Sequence, residues 1–218
     1  MTQGNYTGIM MKKKRDVWKG FFVLEGMDGA GTTTQLRRCE TEALKANLGL
    51  SCEAEPTGGA IGTLLRRFLR HEISATAPTL AWLFAADRQE HLWGSDGVRG
   101  KLDNGNKVLS DRYFFSSLVY QGLDLEADFV KDLQKDFPFP EAVFFLDIDV
   151  ETALKRRQNR GQSEELFEAS AIQERIRQGY LNVFDQARNE GTSMEICVLD
   201  ARLPIDELQA VIWERICR

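Results

Sequence analysis

The chain has 218 residues, 43% of them hydrophobic and 28% charged, the balance of an ordinary globular domain. A net charge of −5 supplies no global basic field for nucleic acid, and no apolar stretch reaches the roughly 18–20 residues of a membrane-spanning helix. Cys39, Cys52, Cys197 and Cys217 have neither CxxC nor metal-ligand spacing. They read as scattered reduced thiols of a cytoplasmic protein. With His71 and His91 as the two histidines, the composition argues against a histidine-based metal site, and each reads as a surface or partly buried helix residue.

In chain order, residues 1–19 are polar and carry Lys12, Lys13, Lys14 and Arg15. They read as a flexible extension, because the apolar run that follows is too short for a signal-peptide core. From residue 20 a single domain is expected. Strands are predicted over 21–25, 51–54, 107–110, 142–147 and 195–199. Helices are predicted over 32–46, 61–69, 79–102, 115–121, 127–135, 150–160, 170–189 and 205–216. This alternation implies an α/β fold with a parallel sheet, helices on both faces and right-handed crossovers. Ligands then bind at the carboxyl ends of the strands. The charged stretch at about 156–168 has weak apolar periodicity and reads as a short lid or as a solvated helix end.

Between the first strand and the first helix stand Gly26, Met27, Asp28, Gly29, Ala30, Gly31, Thr32, Thr33 and Thr34. Gly26, Gly31 and Thr33 have the spacing of a phosphate-binding P-loop. Thr32 stands where that motif has lysine. The glycines let successive backbone N–H groups form an anion nest, and the helix N-terminus adds partial positive charge. The Thr33 hydroxyl suits Mg²⁺. The absent lysine is the mobile cation usually placed on the transferring phosphoryl group.

Four further segments carry chemistry. Glu55-Pro56-Thr57-Gly58-Gly59 precedes a helix bearing Arg66. Phe84 and Arg88 lie four apart on one helix face, a pairing suited to a flat polar base. Asp111 and Arg112 emerge at a strand end, where a carboxylate can hold Mg²⁺ or its water shell and a guanidinium can grip phosphate bidentately. Arg156, Arg157 and Arg160 precede Gly161 at the start of the lid segment.

Read together and in this order, these segments resemble the thymidylate kinase family of nucleoside monophosphate kinases, from about residue 20 onward. The resemblance implies a P-loop NTPase-type sheet with a short lid, ATP as phosphoryl donor, Mg²⁺, and dTMP as acceptor giving dTDP. It implies ATP binding by Gly26, Asp28, Gly29, Ala30, Gly31, Thr32, Thr33 and Thr34, with Thr33 and Asp111 at the metal. Asp111, Arg112, Arg157 and Arg160 would form the catalytic group. For the acceptor it implies Asp28 at the 3′-hydroxyl, Arg66 and Arg112 at phosphate, and Phe84 stacked on thymine. Arg88 would contact a base carbonyl, Ser117 and Gln121 the base, and Tyr120 would pack under the sugar, while Glu55 would also belong to the substrate-binding set. Leu199-Asp200-Ala201 would form the adenine-side turn.

The chain departs from the family pattern at Thr32, at Ala54 (an arginine before Glu-Pro in the family), at Gly29 (an arginine in one branch) and at Glu164-Glu165 (Asp-Arg in bacterial lids). The resemblance also implies a homodimer. The alternatives are a catalytically weak nucleotide-binding relative on the same scaffold, or a kinase of another nucleoside monophosphate.

Overall fold

The computed structural model describes residues 15–159 and 166–218. The expectations for residues 1–14, Arg160, Gly161, Glu164 and Glu165 lie outside the described residues. Five strands form one parallel sheet in the order β2-β3-β1-β4-β5: β1 (Val17–Glu25), β2 (Leu50–Ala54), β3 (Lys107–Asp111), β4 (Phe139–Asp147) and β5 (Glu195–Asp200). The flanking helices are α1 (Thr32–Ala46), α2 (Ala60–Leu69), α3 (Ala77–Trp93), α4 (Val98–Asp103), α5 (Phe114–Tyr120), α6 (Ala127–Gln134), α7 (Val150–Gln158), α8 (Leu166–Asn189) and α9 (Ile205–Cys217).

The central strands read as unbroken apolar runs because helices cover both faces of a parallel sheet. Phe21, Phe22, Val23 and Leu24 of β1, and Ala142, Val143, Phe144, Phe145 and Leu146 of β4, are fully buried. That core places the site. After β1 the chain turns toward β2, whereas after β3 it turns toward β4, so the carboxyl ends of β1 and β3 flank the topological switch point where ligands bind. Leu24 pairs with Asp111 in register, which sets the P-loop beside the Asp111-Arg112 turn.

Among the boundaries that differ from the sequence reading, including earlier starts of β4 and α8, two have a physical reason. The helix expected over 79–102 divides into α3 and α4. Gly94 ends α3, its N–H donating to Glu90 O at 2.8 Å, and a Cβ there would meet that oxygen at 2.5 Å. Helical periodicity survives across the break because Val98, fully buried, returns to the core. The second difference is that residues 17–19, expected in the extension, already belong to β1. Trp18 pairs with Pro140, and the register shifts between Trp18 and Phe22. That irregularity, together with the exposed Lys19, removes the apolar pattern by which a strand is recognised.

The described cysteines form no disulfide, and burial pushes the thiols of Cys39 up to about 11 and of Cys52 and Cys197 up to about 12. All three stay protonated at neutral pH and serve as packing residues.

Candidate active site

The P-loop leaves β1 at Gly26 and enters α1 at Thr32, with Gly31 as a left-handed N-cap (φ +104°). Around it opens a cleft of about 310 Å³ lined by Met27, Asp28, Gly29, Gly31, Thr32, Thr33, Thr34, Arg112 and Arg157. Thr32, in the lysine position, is 7% exposed and carries no charge. The cations that line the cleft come instead from the β3–α5 turn and from α7. Gly29 also has a structural reason. Its φ is +96°, and a Cβ there would lie 2.7 Å from Ala153 O in α7. An arginine at this loop position would strain the backbone and displace α7.

Arg156 and Arg157, adjacent on α7, part company. The Arg156 guanidinium donates to Ala201 O at 2.9 Å, with longer bonds to Ala30 O (3.4 Å) and Gly29 O (3.5 Å). It ties the β5–α9 turn to the P-loop backbone. Arg157 faces the cleft.

At the bottom of the cleft the Thr33 hydroxyl donates to Asp111 Oδ2 at 2.6 Å. Asp111 Oδ1 is buried with no hydrogen-bond partner among the described residues. A buried carboxylate oxygen without a donor is an unfavourable arrangement unless a cation or water completes it. The donor set, one hydroxyl and one carboxylate, is that of a hard divalent ion bound with water and phosphate.

Arg112 adopts φ +75°, a left-handed conformation that costs a side-chain-bearing residue about 1–2 kcal/mol. Two bonds hold it there: Arg112 N–H to Leu24 O at 2.9 Å, and Ser110 Oγ–H to Arg112 O at 2.8 Å. The strained backbone aims the guanidinium back over the P-loop. One terminal nitrogen donates to Asp28 Oδ1 at 2.5 Å. The other lies near Gly26 O (3.2 Å), Ser116 Oγ (3.2 Å), Tyr180 OH (3.3 Å) and Tyr120 OH (3.4 Å), so its two protons are shared among four acceptors. Arg112 also lies over the Tyr120 ring at 5.2 Å.

Glu25, which sequence reasoning passed over, lies beneath Arg112. It is fully buried and accepts from Tyr113 N–H (2.9 Å), Ser116 N–H (3.3 Å), Ser116 Oγ (2.7 Å) and Tyr180 OH (2.9 Å). Burial pushes its carboxyl up to about 7, against the opposing pull of Arg112 and of these hydrogen bonds. The available signal was an acidic residue closing an apolar strand just before the first loop glycine.

The residues expected on the acceptor side form a second, interior network. Arg88 is 1% exposed. Its Nε donates to Glu55 Oε2 at 2.8 Å, and its terminal nitrogens donate to Gln134 Oε1 (2.5 Å) and Ser117 Oγ (3.1 Å). The rings of Tyr113 and Phe137 lie about it at 5.4 and 5.5 Å. Both Glu55 oxygens are engaged, Oε2 by Arg88 and Oε1 by His91 Nδ1 at 2.9 Å. Asp87 clamps the loop after Pro56 through Thr57 N–H and Oγ1, each at 2.7 Å. Arg66 closes the same loop by donating to the carbonyls of Pro56 and Thr57. Phe84 stands half-buried one turn before Arg88 on α3, and Gln121 Oε1 is buried with no partner among the described residues.

His91 corrects the expectation of an ordinary surface or partly buried histidine. It lies 7% exposed between Glu53 Oε2 (2.8 Å) and Glu55 Oε1 (2.9 Å). Burial lowers its pKa, but the hydrogen bonds to both carboxylates outweigh that and raise it to about 9. The sign follows directly. A histidine whose folded value exceeds its unfolded value of about 6.5 stabilises fully below pH 6.5, and that stability disappears as pH rises through 9. Denaturation at pH 6, 8 and 10 is expected to show a loss of up to about 3 kcal/mol, spread over the window from pH 6.5 to 9, so that both intervals contribute. His91→Gln is expected to flatten that limb, and an unchanged limb would show that His91 does not cause it.

A five-stranded parallel sheet flanked by helices, with a P-loop and an Asp-Arg turn at its switch point, has the architecture of the nucleoside monophosphate kinases of the P-loop NTPase fold. The sequence model of the thymidylate kinase family matches residues 24–212. A provisionally named thymidylate kinase of Treponema pallidum is 42% identical over 201 residues, covering 92% of this chain and 94% of that protein. A probable thymidylate kinase of Methanococcus aeolicus is 32% identical over 197 residues, covering 90% and 95%. A thymidylate kinase of Leptospira interrogans is 32% identical over 200 residues, covering 89% and 96%. The chain belongs to the thymidylate kinase family, whose reaction is phosphoryl transfer to dTMP.

Proposed function

We propose that this chain carries out the family reaction with ATP as donor, transferring the γ-phosphoryl group to dTMP to give dTDP and ADP. One observation carries the reading. The cleft at the switch point brings together the P-loop, the Thr33–Asp111 pair and the cations Arg112 and Arg157.

The P-loop residues Gly26, Asp28, Gly29, Ala30, Gly31, Thr32, Thr33 and Thr34 cradle the donor phosphates. Thr33 and Asp111 would hold Mg²⁺, and the unpartnered Asp111 Oδ1 fits that role. When bound, the ion neutralises phosphate charge. Arg112 grips the acceptor phosphate, together with Arg66 of α2. Arg157, reaching the cleft from α7, supplies positive charge that Thr32 cannot, and Arg160 is the further candidate from the lid segment. On the acceptor side Phe84 stacks on the base, and Ser117 and Gln121 meet its polar edge. Arg88 presents its remaining donor capacity to the base from the position fixed by Glu55, while Tyr120 packs under the sugar and Asp28 receives the 3′-hydroxyl. Catalysis on this plan is positioning and electrostatics, because phosphoryl transfer needs little else from a protein. The family resemblance also supports a homodimer and a cytoplasmic enzyme, and no helix among the described residues is long and apolar enough to cross a membrane.

The test is dTDP formation from Mg-ATP, resolved chromatographically, with dTMP in competition against dUMP, dCMP and dGMP. The expected result is dTMP-dependent ADP release matched by dTDP, with dTMP the preferred acceptor. ATP consumption indifferent to dTMP would overturn the proposal.

A further inference from the structure

The hydroxyl of Tyr180, on α8, meets the acceptor-side machinery from the far end of the chain. It lies 2.9 Å from Glu25 Oε2, 2.8 Å from Ser116 Oγ and 3.3 Å from a terminal nitrogen of Arg112. Ser116 repeats the pattern, 2.7 Å from the same carboxylate oxygen and 3.2 Å from the same guanidinium nitrogen. When Glu25 is ionised it can only accept, and Arg112 can only donate. In that state the hydrogen bonds run one way, from Arg112 through the two hydroxyls to Glu25.

Tyr180 is fully buried, its ring packed against Phe145 (5.2 Å), Phe184 (6.2 Å) and Tyr120 (6.4 Å). Its backbone is fixed as well. Arg177, one turn earlier on α8, makes a bidentate pair with Asp147 at the end of β4 (2.7 and 2.9 Å). The phenol is thus a rigid post. Asp28, the other charged partner of Arg112, is half exposed (51%), so it restrains the guanidinium less firmly.

We infer that Tyr180, acting with Glu25, is a positioning residue for the acceptor nucleotide: its hydroxyl holds the Arg112 guanidinium in the orientation that receives the nucleotide's phosphate. The inference rests on the assignment of Arg112 to the acceptor phosphate. Neither Tyr180 nor Glu25 need touch substrate. Their effect passes through Arg112, and it falls on the acceptor rather than on ATP.

The experiment uses the full chain. Tyr180→Phe removes one hydroxyl and keeps the packed ring. Its dTMP affinity by calorimetry is expected to fall about ten-fold, as for loss of a hydrogen bond to a charged group. KM for dTMP rises in parallel, KM for ATP stays within about two-fold, and the melting temperature moves by a few degrees at most. Glu25→Gln, which keeps the shape and removes the charge, is expected to show the same selective loss. In an Arg112→Lys background, Tyr180→Phe should add less than about two-fold, because residues acting through one group are not additive. Equal dTMP affinity in wild type and Tyr180→Phe would overturn the inference alone, as would the same ten-fold loss in the Arg112→Lys background. A wild type that binds no dTMP would overturn the assignment of function and this inference with it.

Discussion

Arg112→Ala lowers kcat/KM for dTMP by about 10³-fold or more while leaving a folded protein. The size follows from the role of a positioned arginine in phosphoryl transfer, worth 10³–10⁵ in rate in comparable sites. The survival of the fold follows from Glu25. Removing the guanidinium takes away the cation next to a fully buried carboxylate whose pKa burial has already pushed up to about 7. Glu25 then takes a proton at neutral pH instead of remaining as an uncompensated buried charge. The left-handed backbone at φ +75° is retained at a similar cost, since alanine pays about the same steric penalty there as arginine. Arg112→Lys restores charge without the fork geometry and should recover only part of the rate. Steady-state kinetics beside a thermal melt decide the matter, and full activity in Arg112→Ala would refute the assignment.

The second large effect is on stability. Glu55→Ala is expected to destabilise the protein by about 3–5 kcal/mol, the range for breaking a buried ion pair by removing one partner. Arg88, 1% exposed and held among Tyr113, Phe137 and Gln134, would keep its charge without its carboxylate. Deprotonation gives it no escape, because a guanidinium keeps its proton. His91 would lose one of its two carboxylate partners at the same time. For a chain of this length the midpoint should fall by roughly 10 °C or more. Glu55→Gln, which still accepts one hydrogen bond, should lose less. Chemical denaturation provides the measurement, and a loss below about 1 kcal/mol would mean that water reaches Arg88 in solution.

The two networks behind these predictions were not equally legible in the sequence. The P-loop announces itself by spacing, because a phosphate site needs glycines and a hydroxyl at fixed local distances, whereas Asp111 and Arg112 were legible through their resemblance to the family's Asp-Arg-Tyr signature. Arg88 and Glu55 were found as members of motifs, but the partners that decide their environment were not. His91 is one turn beyond Arg88 on α3, and nothing in its neighbours along the chain says that Glu53 and Glu55 of β2 and its following loop close around it. Glu25 and Tyr180 stand 155 residues apart, and no periodicity relates them. The split of 79–102 into α3 and α4 failed to show for the opposite reason: the apolar pattern continues through Val98 although the hydrogen-bond ladder stops at Gly94.

By itself, then, the sequence determined the order of the strands and of most helices and the phosphate loop with its missing lysine, which are set by local spacing or by apolar periodicity, and its motifs carried the resemblance to the family. Tertiary structure alone decided which cations line the cleft, that Arg157 faces it while Arg156 binds backbone carbonyls, and that Gly29 leaves no room for an arginine. It also decided that Glu25 and Tyr180 stand behind Arg112. The physical reason is that charge and hydrogen bonding act through space over a few ångströms, and in a parallel sheet the residues brought that close come from strands and helices far apart in the chain.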